Sequence, residues 1–266
     1  MQQAFDTIAK GYDASFTHSI IGKAQRQIVW DYLEKTFLDN KKLNILELNC
    51  GTGEDALWFA KQGHKVLATD LSEGMLDIVR QKIDEQDLPS HIQTLKLDIT
   101  KIREKNFSER FDLIFSNFGG MNCISPAEML QIPDALSSLL NTNGRLIMVI
   151  MPRYCLWETS YFLIKLKFKK AFRRYNDAGT IAKLNGIEFR TFYYTPNQMK
   201  KIFGKYFDVI NIKPVGFFIP PSYLEKYFAP KVKTFSLLKK MENIFPNQSV
   251  LAGFSDHYLI DLQVKG

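Results

Sequence analysis

The chain has 266 residues and a mass of 30.8 kDa, with 35 Lys+Arg against 28 Asp+Glu and a formal net charge of +7. An apolar share of 45% and a charged share of 24% are ordinary for a globular protein and exclude a largely disordered chain. Three cysteines (Cys50, Cys123, Cys155) are too few and too scattered for a disulfide framework or a closed zinc site, and read as reduced thiols of a cytoplasmic protein.

The first forty residues carry a helical pattern, with Ile20, Ile21, Ala24, Ile28, Tyr32 and Leu33 recurring at mostly three- and four-residue steps. The period then changes. Leu43 to Leu48 is short and apolar, as a buried parallel strand is. Asn49 to Gly53 is a turn, Glu54 to Gln62 a helix stopped by Gly63, and Lys65 to Thr69 a second strand ended by Asp70. Ser72 N-caps a helix to about Asp84. Ile92 to Leu97 is a third strand ending at Asp98, and Phe111 to Ser116 a fourth. Pro126 to Leu140 is helical with an interruption at Pro133, Asn141 to Gly144 is a turn, and Arg145 to Met151 is a fifth strand. Gly179 to Tyr194 reads as one or two short strands, Pro196 to Tyr206 as a helix behind Thr195, and Pro220 to Ile244 as helical. Phe207 to Phe218 and His257 to Val264 close the set as strands. Strands alternating with helices in this way predict an α/β fold: a doubly wound, mostly parallel, Rossmann-like sheet with right-handed crossovers. Residues 1–150 are expected to form the core with an N-terminal helical cover. Residues 151–266 are expected to add lid insertions (152–195 and 220–250) and the closing strands to the same domain. No apolar run approaches the ~20 residues of a membrane span, and the N-terminus lacks the basic and apolar pattern of a signal peptide.

In open α/β sheets, ligands sit at the carboxyl ends of the strands. Four successive predicted strand ends carry a polar group or a glycine turn: Glu47 to Gly53, Asp70, Asp98, and Ser116-Asn117-Phe118-Gly119-Gly120. Gly51 and Gly53 allow close backbone approach to a ligand, and the following helix offers free N–H groups to a negative one. Asp70, about 20 residues on, is placed to accept from ribose hydroxyls. Gly51 to Ala56 also fits the G-x-G-x-x-G/A dinucleotide fingerprint, so an NAD(P)-dependent oxidoreductase is the alternative. Glu47 before the turn and the third strand-end acid, Asp98, argue against it.

This set resembles the class I S-adenosylmethionine-dependent methyltransferases of the small-molecule branch. Glu47 to Gly53 matches their first motif except at Asn49, and Asp70, Leu97-Asp98-Ile99 and Phe111 to Asn117 match the next three. Phe5 to Asp13 is similar to an entry segment of that branch. The resemblance implies a seven-stranded sheet and S-adenosylmethionine as cofactor, held by Tyr12, Glu47, Asn49, Gly51, Gly53, Asp70, Leu71, Met75, Asp98, Ile99 and Asn117. It implies no metal, and the four histidines show no metal spacing. Asn49 enters the left-handed region readily, so the turn is expected to survive. The same departure supports a second alternative, a non-catalytic S-adenosylmethionine-binding protein. If a general base is needed, Tyr12, His18, Tyr154 and His257 are the candidates. His64 and His91 read as solvated surface residues, and Glu54 and Asp55 as charges serving a helix N-terminus.

The charge is uneven: residues 1–150 carry −4 and residues 151–266 carry +11. Tyr161 to Tyr175 interleaves aromatics with Lys and Arg. As one helix it would place Tyr161, Ile164, Phe168, Phe172 and Tyr175 on a common face. It is either core-packed with snorkelling cations or a lid meeting an anionic acceptor or a membrane surface. Nucleic acid is disfavoured, because no RNA-binding module is recognisable and Ser116-Asn117-Phe118-Gly119 stands where base-methylating relatives carry an Asn/Asp-Pro-Pro-Tyr tetrapeptide. The expected partner is a small, anionic or partly apolar acceptor; the oligomeric state is not legible.

Overall fold

The computed structural model describes residues 6, 9, 11–13, 17–38, 41–88, 90–184, 187–244 and 249–266. In chain order the elements that build the sheet and its near cover are α1 (Ile20–Thr36), β1 (Asn44–Leu48), α2 (Glu54–Lys61), β2 (Lys65–Asp70), α3 (Glu73–Glu85), β3 (Ile92–Lys96), β4 (Phe111–Ser116), α4 (Pro126–Met129), α5 (Pro133–Ser138) and β5 (Leu140–Ile150). Then follow α6 (Leu156–Ile164), α7 (Phe168–Ala171), the hairpin β6 (Thr180–Leu184) and β7 (Ile187–Thr191), α8 (Pro196–Phe203), β8 (Phe207–Val215), α9 (Glu225–Phe228), α10 (Val232–Ile244), α11 (Ser249–Ala252) and β9 (His257–Val264).

Seven strands form one sheet in the order β3-β2-β1-β4-β5-β9-β8. Strands β1 to β5 pair in parallel, and β9 runs antiparallel between β5 and β8. This is the mostly parallel α/β sheet expected, and β9 sets it apart from the 3-2-1-4-5-6 order of dinucleotide folds. Strand order reverses between β1 and β4, so the crevice for a ligand opens at their carboxyl ends. The two-residue period of β1 divides its side chains between two apolar layers. Ile45 joins Ile21, Val29, Leu33 and Phe59 on one face, and Leu46 and Leu48 join Met121, Leu136 and Phe203 on the other. Tyr32 of α1 donates to Asp261 Oδ2 at 2.6 Å, and Arg145 of β5 pairs with the same fully buried carboxylate. Those bonds tie the N-terminal helix to the antiparallel end of the sheet.

The helical stretch from Pro126 is interrupted before Pro133, as expected, into two short helices with Pro at the first position of each, because proline cannot donate to a preceding turn. Three local expectations are corrected. Asn141 to Gly144 lies inside β5; a bulge between the Phe111 and Leu113 pairings, with Asn143 left-handed at φ 65°, absorbs the turn residues. The stretch 161–175 is not one helix, because α6 ends at Ile164 and Leu166 turns left-handed at φ 55°. His64 is buried rather than solvated: its Nδ1 accepts from the Leu43 N–H at 3.2 Å, and burial pulls its pKa down.

Candidate active site

At the end of β1 three residues in five are left-handed: Asn49 (φ 55°), Gly51 (φ 54°) and Gly53 (φ 78°). The chain therefore turns sharply from strand into α2. The two glycines serve different ends. A Cβ on Gly51 would meet nothing within 4 Å, since that residue faces the open cavity. A Cβ on Gly53 would stand 2.8 Å from Val79 Cγ2, so Gly53 lets α3 pack against the loop. Asn49 replaces a glycine without disrupting the turn because Gly120, opposite, has no side chain. A Cβ there would come within 2.4 Å of Asn49 Cβ.

The loop walls a cavity of about 370 Å³ at the sheet's switch point, within the range of small-ligand sites. Asp70, at the end of β2, accepts from the Gly51 N–H through Oδ2 (3.0 Å) and from the Ser72 N–H through Oδ1 (2.8 Å). Burial raises its pKa, and those backbone bonds work against the rise. Each oxygen keeps a lone pair for a further donor. Glu47 is 1% exposed, and its Oε2, like Asn49 Oδ1, has no hydrogen-bond partner among the described residues. Burial, then the charge of Asp55, push the Glu47 pKa well up, while Arg26 opposes. Leu71, Met75 and Asn117 complete this end of the cavity.

Two acids of the N-terminal segment fasten it to this floor. Asp13 accepts from Thr52 Oγ1 and Lys82 Nζ, both at 2.6 Å. Asp6 accepts from Ser72 Oγ at 2.5 Å and from the Gly74 N–H at 3.0 Å. Tyr12, carried between them, lines the cavity, and burial chiefly lifts its pKa to about 12. It is a phenol at neutral pH, able to donate rather than to take a proton. A network that sequence reasoning missed lies beside it. Asp55, 4% exposed, accepts from Arg26 Nη1 (2.8 Å), Trp30 Nε1 (2.7 Å) and Asn117 Nδ2 (3.1 Å). It is therefore a buried anchor between α1, α2 and the end of β4 rather than only a helix-terminal charge.

The far end of the cavity is lined by Cys123, Met151 and Arg173, by Thr180, Ile181 and Ala182 of β6, and by Phe189, Thr191 and Tyr193 on and after β7. Arg173 is fixed there by Glu158, which accepts from its Nε (2.8 Å) and Nη2 (2.7 Å). The Nη1 edge is not used in that fork. Arg174 points the other way. It is 5% exposed and bonds Glu158, Asp256 Oδ1 (3.0 Å) and the Asp256 carbonyl (3.1 Å). Of these two arginines only Arg173 lines the cavity.

The structure thus gathers Tyr12, Glu47, Asn49, Gly51, Asp70, Leu71, Met75 and Asn117 around one cavity. Gly53, Asp98 and Ile99 are not part of its wall; Asp98 caps a short 3₁₀ turn, accepting from the Thr100 N–H and Oγ1. His18 is exposed, Tyr154 stacks edge-on against Tyr175, and His257 lies behind Phe118, with ring centroids 5.3 Å apart. None of these three lines the cavity. Among the described residues no three His, Cys, Asp or Glu come together as a metal site requires.

The chemistry of this end fits S-adenosylmethionine. Two unpartnered acceptors, Glu47 Oε2 and Asn49 Oδ1, suit an ammonium group, and the spare lone pairs of Asp70 suit a vicinal diol. Comparison with known proteins agrees. The family model described as a methyltransferase domain matches residues 45–144. A demethylmenaquinone methyltransferase of Clavibacter sepedonicus is 29% identical over 143 residues, 54% of each chain. A malonyl-[acyl-carrier protein] O-methyltransferase of Priestia megaterium is 28% identical over 151 residues, 54% of this chain and 51% of the relative. The match therefore spans about half the length of these curated relatives. A crystal structure of an S-adenosylmethionine-dependent methyltransferase from Clostridium acetobutylicum shares the fold, with a TM-score of 0.60 at 15% identity over 92% of each chain. Over residues 45–144, with sheet order and glycine loop in agreement, the chain is similar to the class I S-adenosylmethionine-dependent methyltransferases.

Proposed function

We propose that the chain transfers a methyl group to a small acceptor that is anionic and partly apolar. The observation that carries this is a single cavity with a polar, glycine-walled end and an apolar end holding one fixed guanidinium, Arg173. S-adenosylmethionine, when bound, supplies an electrophilic methyl on a sulfonium. Glu47, Asn49, Asp70 and the Gly51 backbone would hold it, with Met75 and Leu71 as apolar wall. The rest of the work is alignment, which can account for several kcal/mol of a barrier. Tyr12 would close over this end of the cavity.

The acceptor end offers little proton chemistry. Burial lifts Cys123 to about 12 and raises Tyr193, and no histidine stands among the described lining residues. An acceptor that arrives with its nucleophile already deprotonated, such as a carboxylate or an acidic enol or phenol, suits this wall better than an alcohol that must surrender a proton. The relative named for malonyl-[acyl-carrier protein] is consistent with a carboxylate acceptor, and the one named for demethylmenaquinone with an apolar one. The test is transfer of labelled methyl from S-adenosylmethionine to a panel of carboxylic acids, acidic phenols, neutral alcohols and amines. Turnover confined to the acidic members, lost in Arg173→Gln with S-adenosylhomocysteine affinity retained, supports the proposal. Preference for alcohols or amines would refute the acceptor class. Binding without any turnover would favour a non-catalytic cofactor-binding protein.

A further inference from the structure

The lid carries a second feature that methyl transfer does not use. Between Thr159 and Asn176 there are six cationic residues and no acid. Arg173 and Arg174 are paired with Glu158, and Arg174 also with Asp256. Lys165, Lys167, Lys169 and Lys170 are all exposed, and no described carboxylate pairs with them. Interleaved with them, Ile164 is 83% exposed, Leu166 76%, Phe168 59% and Phe172 47%. Large apolar side chains at such exposure, four within one short stretch, are unusual on a protein that meets only water.

Leu166 is the most telling. Helix α6 ends in a Schellman cap: Leu166 N–H donates to the Leu163 carbonyl at 2.9 Å and Lys167 N–H to the Phe162 carbonyl at 2.8 Å. That cap forces the residue after the helix into the left-handed region, where glycine is the ordinary choice. A leucine there is strained and also points into solvent, so folding favours it on neither count. Lys165 beside it lies over the Tyr161 ring at 4.5 Å and donates to the Tyr161 hydroxyl at 2.7 Å. Tyrosine and lysine in contact at the edge of an apolar tip suit a boundary between an apolar and a wet phase.

We infer that the tip formed by the end of α6 and α7 docks on an anionic lipid surface. Leu166 and Phe168 would enter the headgroup boundary, and Lys165, Lys167, Lys169 and Lys170 would meet the lipid charge. The charge decides the occupant: four lysines with no carboxylate partner among the described residues, set around an apolar tip, complement a negative surface and repel a basic one. Docking would set the cavity mouth against the bilayer, since Ile181, 55% exposed, and Arg173, next to Phe172, both line the cavity.

The experiment is cosedimentation of the full chain with vesicles of equimolar phosphatidylcholine and phosphatidylglycerol, against vesicles of phosphatidylcholine alone. Vesicle binding reads the tip without turnover, so it is independent of the acceptor. At low salt, binding to the anionic vesicles is expected to be at least tenfold stronger, and to weaken as salt rises. Leu166→Gly should weaken vesicle binding several-fold without lowering thermal stability, and Lys167→Gln with Lys169→Gln should remove the preference for anionic vesicles. S-adenosylhomocysteine affinity should stay unchanged in all of them. Equal binding to both vesicles, no binding to either, or wild-type vesicle binding by Leu166→Gly would overturn the inference. An acidic protein surface would then be the better occupant of the tip.

Discussion

Replacing Glu158 by glutamine tests whether the lid is held by charge. The substitution keeps the shape and removes one negative charge from a sealed cluster. Glu158 is 1% exposed, and the side chains of Arg174 and Asp256 are each 6% exposed. Glu158 accepts four bonds from two guanidinium groups, at 2.7 to 3.2 Å. Removing one partner of a buried pair costs roughly 3–5 kcal/mol, because the other charge is left uncompensated. Arg173 is 37% exposed, so its share is discounted for solvent screening, and the lower end of that range applies. With a urea slope of about 3 kcal/mol/M, a loss of about 3 kcal/mol lowers the unfolding midpoint by roughly 1 M.

The pH dependence follows from the same geometry. Burial acts to raise both carboxylates, but the arginines, with His257 beside Asp256, hold Glu158 and Asp256 below the ordinary range. A group whose folded pKa is depressed contributes stability that is full above its unfolded pKa, near 4, and is lost as pH falls through the folded value. The wild type should therefore lose stability below about pH 4, and Glu158→Gln should lose less over that window. The assay is urea unfolding at pH 7 and at about pH 3, followed by tryptophan fluorescence. A midpoint shift under about 0.2 M at pH 7, or equal acid sensitivity of both proteins, would refute the reasoning.

Four further substitutions test other joints. Gly53→Ala meets both a left-handed backbone and Val79 at 2.8 Å, so about 3 kcal/mol of destabilisation is expected, read as a drop of roughly 6–12 °C in melting temperature. Gly120→Ala drives a Cβ into Asn49 at 2.4 Å and should weaken S-adenosylhomocysteine binding at least tenfold by calorimetry, and Asn49→Gly, which removes one of the two acceptors offered to the ammonium group, should weaken it about tenfold without unfolding the turn. Glu242 accepts from the N–H groups of Gly216, Phe217, Phe218 and Ile219 at 2.6 to 3.1 Å, so Glu242→Ala orphans four amides and should cost about 4 kcal/mol in urea unfolding.

The sheet was legible because its signals are local. Short apolar runs ending in Asp70 or in the glycine loop stand at the right spacing whatever surrounds them. Asn49 could be accepted as left-handed from its chemistry, although the glycine that makes room for it, Gly120, lies on a different strand end. What escaped depends on partners distant in sequence. Asp55 looked like a helix-terminal charge because Arg26, Trp30 and Asn117 come to it only in the fold. The burial of Arg174 was hidden within the cationic stretch 161–175 for the same reason, since Asp256 is 82 residues away. His64 looked solvated because nothing in its neighbourhood announces the Leu43 amide. Leu166 ended a helix that periodicity alone would have carried through to Tyr175, because a Schellman cap is decided by backbone bonds rather than by the apolar pattern.

The most direct test of the cofactor assignment is isothermal titration of the purified chain with S-adenosylhomocysteine, with NADPH as control ligand. The wild type should bind S-adenosylhomocysteine at micromolar strength, about −8 kcal/mol, and should not bind NADPH. Asp70→Ala removes an acceptor for the ligand and frees the Gly51 and Ser72 amides it holds, so affinity should fall at least 100-fold. Near-wild-type affinity in Asp70→Ala, or NADPH binding in place of S-adenosylhomocysteine, would contradict the assignment.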